Sequence, residues 1–167
     1  MKSIRLGLCA LCIVSSGLLG CATGPEVSRV ETSEPGLSIA RGAGNGELAA
    51  LIARRQIGVP YRFGGTSPDA GFDCSGLVYY SYSQAGIDLP RTSRELFRAA
   101  RKISLADARP GDVVFFQDQE KLSHVGIYLG QRYFVHAPAS GRTVSVAHID
   151  TPYYQQHLVA VGRLVNL

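Results

Sequence analysis

The stretch Phe72-Asp73-Cys74-Ser75-Gly76-Leu77 predicts that a helix begins at a cysteine. Aspartate is among the residues preferred at a helix N-cap, because its carboxylate accepts a hydrogen bond from an unpaired N–H group of the first turn. We therefore expect a helix from Cys74 to a C-cap at Gly86. This places the Cys74 thiol at the positive end of the helix, among backbone N–H groups that have no partner within the helix.

Helical patterns lie on both sides of this stretch, and strand patterns come last. Residues 47–57 have helical spacing, and Thr92-Ser93-Arg94-Glu95 has the capping-box pattern of a third helix. After Pro110-Gly111 the chain changes to short segments rich in valine, isoleucine, tyrosine and phenylalanine, namely 112–116, 123–129, 132–136, 143–147 and 158–164. This order predicts a compact α+β fold, with N-terminal helices packed on an antiparallel sheet of about five to six strands.

The first twenty residues are typical of an export signal. Lys2 and Arg5 provide the positive start, and residues 6–19 are uncharged and mostly apolar. This segment is short for a membrane-spanning helix, which needs ~20 predominantly apolar residues, although a retained anchor helix is the alternative. We predict that residues 1–20 are a signal peptide, that residues 21–45 carry a flexible tether, and that the folded domain spans residues 46–167.

The end of this segment, Leu18-Leu19-Gly20-Cys21, resembles the processing box of bacterial lipoproteins. The resemblance implies that Cys21 is acylated and becomes the new N-terminus, and several acyl chains at one residue give stable membrane anchoring. The residue after Cys21 is Ala22. In the enterobacterial lipoproteins that this segment resembles, an aspartate at that position directs the protein to the inner membrane, so alanine favours the outer membrane. We therefore expect a lipid-anchored protein of the bacterial cell envelope, on the periplasmic face of the outer membrane.

Composition and cysteine count narrow the function further. The 167 residues suffice for one domain, and removal of the signal leaves 15 basic against 13 acidic residues, too small an excess to indicate a nucleic-acid partner. Cys9 and Cys12 lie in the predicted signal, and Cys21 takes the lipid. Cys74 is then the thiol that remains, either as an inert buried group or as a reactive one, and its polar helix start favours the second.

Two histidines are candidate partners of Cys74. His124 begins a predicted strand in which alternation places His124 and Gly126 on one face, and we expect the glycine to leave space for a ligand. His136 ends the next strand, so a hairpin brings the imidazoles together, as when one residue orients another in a triad. A metal site formed with Cys74 is the alternative, but no closely spaced ligand pair supports it, and we predict neither metal nor organic cofactor.

A cysteine nucleophile needs a stabilised thiolate, a base and donors for the developing oxyanion. The helix start and a neighbouring imidazolium are expected to lower the pKa of Cys74 and to form a thiolate–imidazolium pair. Ser75 and Gly76 are small and are expected to leave room for substrate.

Six motifs in this order resemble the NlpC-type cell-wall cysteine peptidases, a compact branch of the papain-like superfamily. The resemblance covers residues 46–167, and six ordered motifs are far more specific than one. The motifs are Gly58-Val59-Pro60-Tyr61-Arg62-Phe63-Gly64-Gly65, Asp73-Cys74-Ser75-Gly76-Leu77-Val78, Leu89-Pro90-Arg91-Thr92-Ser93, Arg109-Pro110-Gly111-Asp112-Val113-Val114-Phe115-Phe116, Ser123-His124-Val125-Gly126-Ile127-Tyr128 and Val135-His136-Ala137.

The resemblance implies a papain-like fold with Cys74 as nucleophile, His124 as general base and acid, and His136 as the residue that orients His124. It also implies that Tyr61 lies beside the thiol and supports the oxyanion, the alternative being aromatic packing. Further residues are expected to contact substrate: Asp73, Ser75 and Arg91.

The implied reaction is hydrolysis of amide bonds in the stem peptides of peptidoglycan through a thioester. We favour the D-alanyl–diaminopimelate crosslink, with the D-glutamyl–diaminopimelate bond next. The alternatives are a catalytically silent peptidoglycan-binding scaffold of the same fold and a thiol acyltransferase. The partners expected are stem peptides and a membrane reached through the N-terminal lipid; the sequence does not identify an envelope adaptor or regulatory protease.

Overall fold

The structure, a computed structural model, describes residues 44–118 and 121–164. The predicted signal peptide, Cys21 and nearly all of the predicted tether lie outside these residues. The helices are α1 (Asn45–Arg54), α2 (Cys74–Gln84), α3 (Ser93–Ala99) and α4 (Pro152–His157), with a 3-10 helix at Leu105–Asp107. The strands are β1 (Thr66–Ser67), β2 (Gly71–Phe72), β3 (Arg101–Ile103), β4 (Val113–Asp118), β5 (Lys121–Gly130), β6 (Tyr133–His136), β7 (Ser145–His148) and β8 (Leu158–Arg163).

Six strands form one antiparallel sheet in the order β3-β8-β4-β5-β6-β7, while β1 and β2 pair separately as a short hairpin. The predicted α+β class and antiparallel sheet are therefore confirmed. The five predicted strands correspond to β4 to β8, each within two residues of its predicted ends. The sequence did not predict β3, the β1–β2 pair or α4, which are all short.

The two faces of the sheet bury different apolar clusters. Alternate residues such as Val113, Phe115 and Val125 face α1 and α2 and form the larger cluster. The opposite face carries a smaller cluster, which α4 covers with Tyr154: Val114, Phe116, Tyr128, Phe134, Ile149 and Val161. The alternation predicted for β5 is thus confirmed, since His124 packs on Phe116 of the smaller cluster while the next residue, Val125, lies in the larger one.

Helix α2 begins where the sequence predicts. The Asp73 backbone is extended, and its Oδ1 accepts a hydrogen bond of 2.6 Å from the Gly76 N–H, so Asp73 is the N-cap. The helix ends at Gln84 with Ala85 as C-cap, and Gly86 follows at φ 80°, a left-handed conformation that suits glycine. The observed C-cap is therefore one residue before Gly86, the predicted one. The capping box of Thr92 and Glu95 at α3 is confirmed.

Candidate active site

The start of α2 is held by a polar network in which the Arg91 guanidinium bonds both Asp73 oxygens, at 3.0 and 2.8 Å, and Ser75 Oγ at 2.9 Å. Asp73 Oδ2 also accepts from the Gly64 N–H at 2.9 Å. Burial makes the largest single contribution to the pKa of Asp73 and raises it. The hydrogen bonds from Arg91 and from backbone N–H groups together outweigh burial, so the pKa is lowered overall. Asp73, Ser75 and Arg91, which were predicted to bind substrate, thus form hydrogen bonds with one another. Their contact with substrate stays a prediction.

Gly76 is required by close packing rather than by space for substrate. A Cβ atom at Gly76 would lie 2.0 Å from the Gly65 carbonyl oxygen, so the loop before β1 rests directly on the first turn of α2. Ser75 is buried and bonded to Asp73 and Arg91. The expectation that Ser75 and Gly76 leave room for substrate was therefore wrong, because the loop and Arg91 occupy that room.

The Cys74 thiol is partly buried at the boundary between helix and sheet. Burial raises its pKa most, and the negative charge of Asp73 raises it further. The backbone N–H groups of Ser75, Val125 and Cys74 itself lower it, but they do not reverse the shift. Unpaired N–H groups at the start of a helix such as α2 are donors of the kind that stabilises an oxyanion.

The Tyr61 hydroxyl lies within electrostatic range of the thiol. Burial raises the pKa of its hydroxyl, and the charges of Cys74 and Asp73 raise it further. Its backbone pairs with Phe72 in an isolated bridge, and its N–H donates to the Arg142 carbonyl at 2.8 Å. The phenol therefore stays protonated near neutral pH and can donate; its support of an oxyanion stays a prediction.

The two histidines meet across the β5–β6 hairpin. The turn is tight, with φ of 50° at Gln131 and 65° at Arg132, and Ile127 pairs with Val135. This register places His124 Nε2 2.7 Å from His136 Nδ1, which confirms the predicted proximity of the two imidazoles. His136 is only 2% exposed, so its ring is fixed by packing.

Gly126 permits this contact by allowing β6 to approach. A Cβ atom there would lie 2.7 Å from the Phe134 ring and 3.3 Å from the His136 Cβ atom. The space that we expected beside His124 for a ligand is thus filled by the chain itself, and that expectation was wrong.

Cys74 and His124 are associated with different faces of the sheet. His124 pairs in register with Phe116 and shares its face, whereas Cys74 packs against the larger cluster. The backbone N–H of Val125, the residue after His124, lies close enough to the sulfur to lower the pKa of Cys74. His124 Nε2 is engaged with His136, so Nδ1 is the ring nitrogen left for another partner.

Burial of both rings determines their charge. It lowers the pKa of His124 to about 4 and, together with the charges of His124 and Arg142, that of His136 to about 3. Both imidazoles are therefore neutral near pH 7, and the Cys74 thiol, whose pKa is raised, is neutral too. These directions argue against the thiolate–imidazolium pair that we expected, because burial outweighs the helix N-terminus.

Alkylation measures this directly, since only the thiolate reacts. Because the pKa of Cys74 is raised, iodoacetamide should modify it at pH 6 about 1000-fold or more below the alkaline plateau rate. The His124→Ala variant should react at the same slow rate at pH 6. Mass spectrometry of the peptide that contains Cys74 separates it from the other cysteines. Rapid modification at pH 6 that depends on His124 would instead demonstrate an ion pair.

Beside His124 a groove opens between the β5, β6 and α4 regions. Its lining includes Ser123, His124, Arg142 and Tyr154. Sequence reasoning did not single out Arg142 or Tyr154, because one lies in a loop and the other in the short unpredicted helix α4. Tyrosine at residues 153 and 154 after Thr151-Pro152 was the available signal, since proline is favoured in the first turn of a helix.

Neither a metal cluster nor a membrane-spanning helix occurs in the described part of the chain. Over residues 44–118 and 121–164, no three His, Cys, Asp or Glu side chains are grouped so that they could hold a metal ion. Over the same ranges, no helix is long and apolar enough to cross a bilayer.

This chain is similar in sequence and in fold to several known proteins. MepH, a murein DD-endopeptidase of Escherichia coli K12, is 41% identical over 117 residues, which cover 67% of this chain and 43% of MepH. CwlT, a bifunctional muramidase/DL-endopeptidase of Bacillus subtilis 168, is 43% identical over 121 residues, covering 71% of this chain and 36% of CwlT. The structure of the peptidoglycan hydrolase RipB of Mycobacterium tuberculosis matches with a TM-score of 0.62 and 30% identity, covering 74% of this chain and 66% of that one.

These matches cover most of this chain but less than half of each curated relative. The chain spans half or less of the length of the curated relatives described, so the similarity concerns one domain of each. The NlpC/P60 family profile matches residues 58–163, which contain Cys74, His124 and His136. The chain therefore belongs to the NlpC/P60 family.

Proposed function

We propose that this chain is a cysteine endopeptidase that hydrolyses stem-peptide amide bonds of peptidoglycan. Cys74 is the nucleophile, His124 the general base and acid, and His136 the residue that orients His124. One observation carries the proposal: His124 Nε2 and His136 Nδ1 are in contact at 2.7 Å, on the hairpin whose Val125 N–H lies close enough to the Cys74 sulfur to lower its pKa. The names of the relatives support the substrate, since MepH is a murein endopeptidase and RipB a peptidoglycan hydrolase.

The reaction follows from the neutral resting site. His124 Nδ1 takes the thiol proton as the sulfur attacks the carbonyl carbon, and the oxyanion is stabilised by N–H groups at the start of α2 and by the Tyr61 hydroxyl. His124 then gives this proton to the leaving amine, which leaves a thioester on Cys74. Next, His124 Nδ1 deprotonates a water, which attacks the thioester carbonyl, and the departing sulfur recovers the proton.

The scissile bond is the finer part of the proposal. We place the D-alanyl–diaminopimelate crosslink first and the D-glutamyl–diaminopimelate bond second. The relatives support both, because MepH is named a DD-endopeptidase and CwlT a DL-endopeptidase.

Digestion of purified muropeptides, with the products identified by mass spectrometry, tests the activity and names the bond. Crosslinked dimers should give monomers with free D-alanine carboxylates if the crosslink is cut, whereas cleavage within a stem releases a fragment that begins with diaminopimelate. Binding of muropeptides without any product would support the silent scaffold instead. Acyl transfer to or from a lipid, with no muropeptide cleavage, would support the acyltransferase.

We further propose that Cys21 is lipidated and that the protein is anchored to the periplasmic face of the outer membrane. The stretch Leu18-Leu19-Gly20-Cys21 supports this localisation. A lipid anchor there would hold the catalytic domain near its insoluble substrate. The wild type should fractionate with outer membranes and carry an acylated Cys21 by mass spectrometry. The Cys21→Ser variant should leave the membrane fraction or retain residues 1–20. An unmodified N-terminus at any other residue in the wild type would refute the anchor.

A further inference from the structure

His136 has a second hydrogen-bond partner on the side away from His124. The hydroxyl oxygen of Tyr154, in α4, lies 3.3 Å from His136 Nε2. The Tyr154 ring stands edge-on to the His136 ring, with centroids 5.4 Å apart, and it also packs on Phe116 and Phe134. Both ring nitrogens of His136 are therefore engaged, one by His124 and the other by Tyr154.

These contacts restrict where the protons of the histidines lie. A base that works through Nδ1 must carry its own proton on Nε2, because a neutral imidazole has one N–H. His124 Nε2–H then donates to His136 Nδ1, which must be unprotonated to accept. His136 consequently carries its proton on Nε2, and that N–H needs an acceptor, which is the Tyr154 oxygen.

We propose that Tyr154 is a positioning residue that selects the Nε2–H tautomer of His136 and, through it, the tautomer of His124 that can act as a base. The proposal rests on the function proposed above for Cys74 and His124. Tyr154 acts through His136 and does not need to touch the substrate.

The surroundings of Tyr154 fit this role. Burial, followed by the influence of Tyr153, raises the pKa of Tyr154, while Arg142 lowers it less, so the hydroxyl remains protonated near neutral pH. A neutral phenol oxygen accepts the His136 N–H while its own hydrogen turns towards the groove.

Tyr154→Phe removes the hydroxyl and keeps the ring that packs on the sheet. We expect kcat for muropeptide hydrolysis to fall about 3- to 10-fold, the effect of losing one neutral hydrogen bond, with KM changed less than about 2-fold. Tyr133→Phe is the matched control, since Tyr133 is an exposed tyrosine on β6 that packs on His148. It should retain the wild-type kcat.

Nitrogen-15 NMR of histidine-labelled protein near pH 7, where both rings are neutral, provides a readout that packing alone would not change. His136 should be in the Nε2–H form in the wild type and in Tyr133→Phe, and in a mixture of tautomers in Tyr154→Phe. An Nδ1–H His136 in the wild type, or an unchanged tautomer in Tyr154→Phe whatever its kcat, overturns the proposal. A wild type without hydrolytic activity would refute the proposed function, while the tautomers still test the role of Tyr154.

Discussion

Replacement of Cys74 by alanine is expected to lower muropeptide hydrolysis by about 10⁴-fold or more, because no other group at the start of α2 can form the thioester. The fold should survive, since the change removes one partly buried sulfur and leaves the Asp73 cap intact. The free energy of unfolding should change by about 1 kcal/mol or less. The measurements are product formation with crosslinked dimers and thermal unfolding of the same samples.

Cys74→Ser is the matched variant, because it keeps a side chain of similar size with a much weaker nucleophile at neutral pH. It should be as inactive as the alanine variant to within the background of the assay. Full activity in Cys74→Ala would remove the residue from the mechanism, and loss of activity accompanied by unfolding would assign it a structural role.

Replacement of His124 by alanine should be about as damaging as loss of the thiol. Nucleophile and base act as one unit, so the double variant Cys74→Ala/His124→Ala should be no slower than either single variant. The structure strengthens this expectation, because the resting thiol is neutral and needs a base to lose its proton. Single-turnover rates at several pH values measure the effect.

His136→Ala should be milder, with a loss of about 10- to 100-fold, since water can partly replace an orienting group. His148→Ala is the control, because His148 lies on β7 and bonds the Asp150 backbone. If the His136 variant were slower than the His124 variant, the assigned roles would be reversed.

Much of the site could be predicted because local patterns encode it. An aspartate before Cys74 caps α2, and alternation along β5 together with a short turn brings His136 to His124. These relations depend on residues near one another in sequence or on a single hairpin. The Tyr61–Cys74 proximity is different, since it was implied only by resemblance to a family.

The remaining features depend on contacts between distant segments. Strand β3 has only three residues and is stabilised by pairing with β8. Helix α4 has only six residues and is stabilised by packing on the sheet. Gly76 and Gly126 are visibly small, but the sequence does not reveal which atoms fill the space beside them. Similarly, the pKa of Cys74 depends on how deeply the tertiary fold buries the sulfur, and no local pattern reports burial.

The division of the site between α2 and the β5–β6 hairpin makes catalysis a sensor of cooperative folding. His124 follows Cys74 by 50 positions in the chain, and only packing of the helix on the sheet joins them. In a molten globule, which keeps secondary structure and loses fixed packing, both halves would persist without a reactive centre. Hydrolysis should therefore disappear before the far-UV circular dichroism changes, and a newly made chain would be inactive until the helix had packed on the sheet.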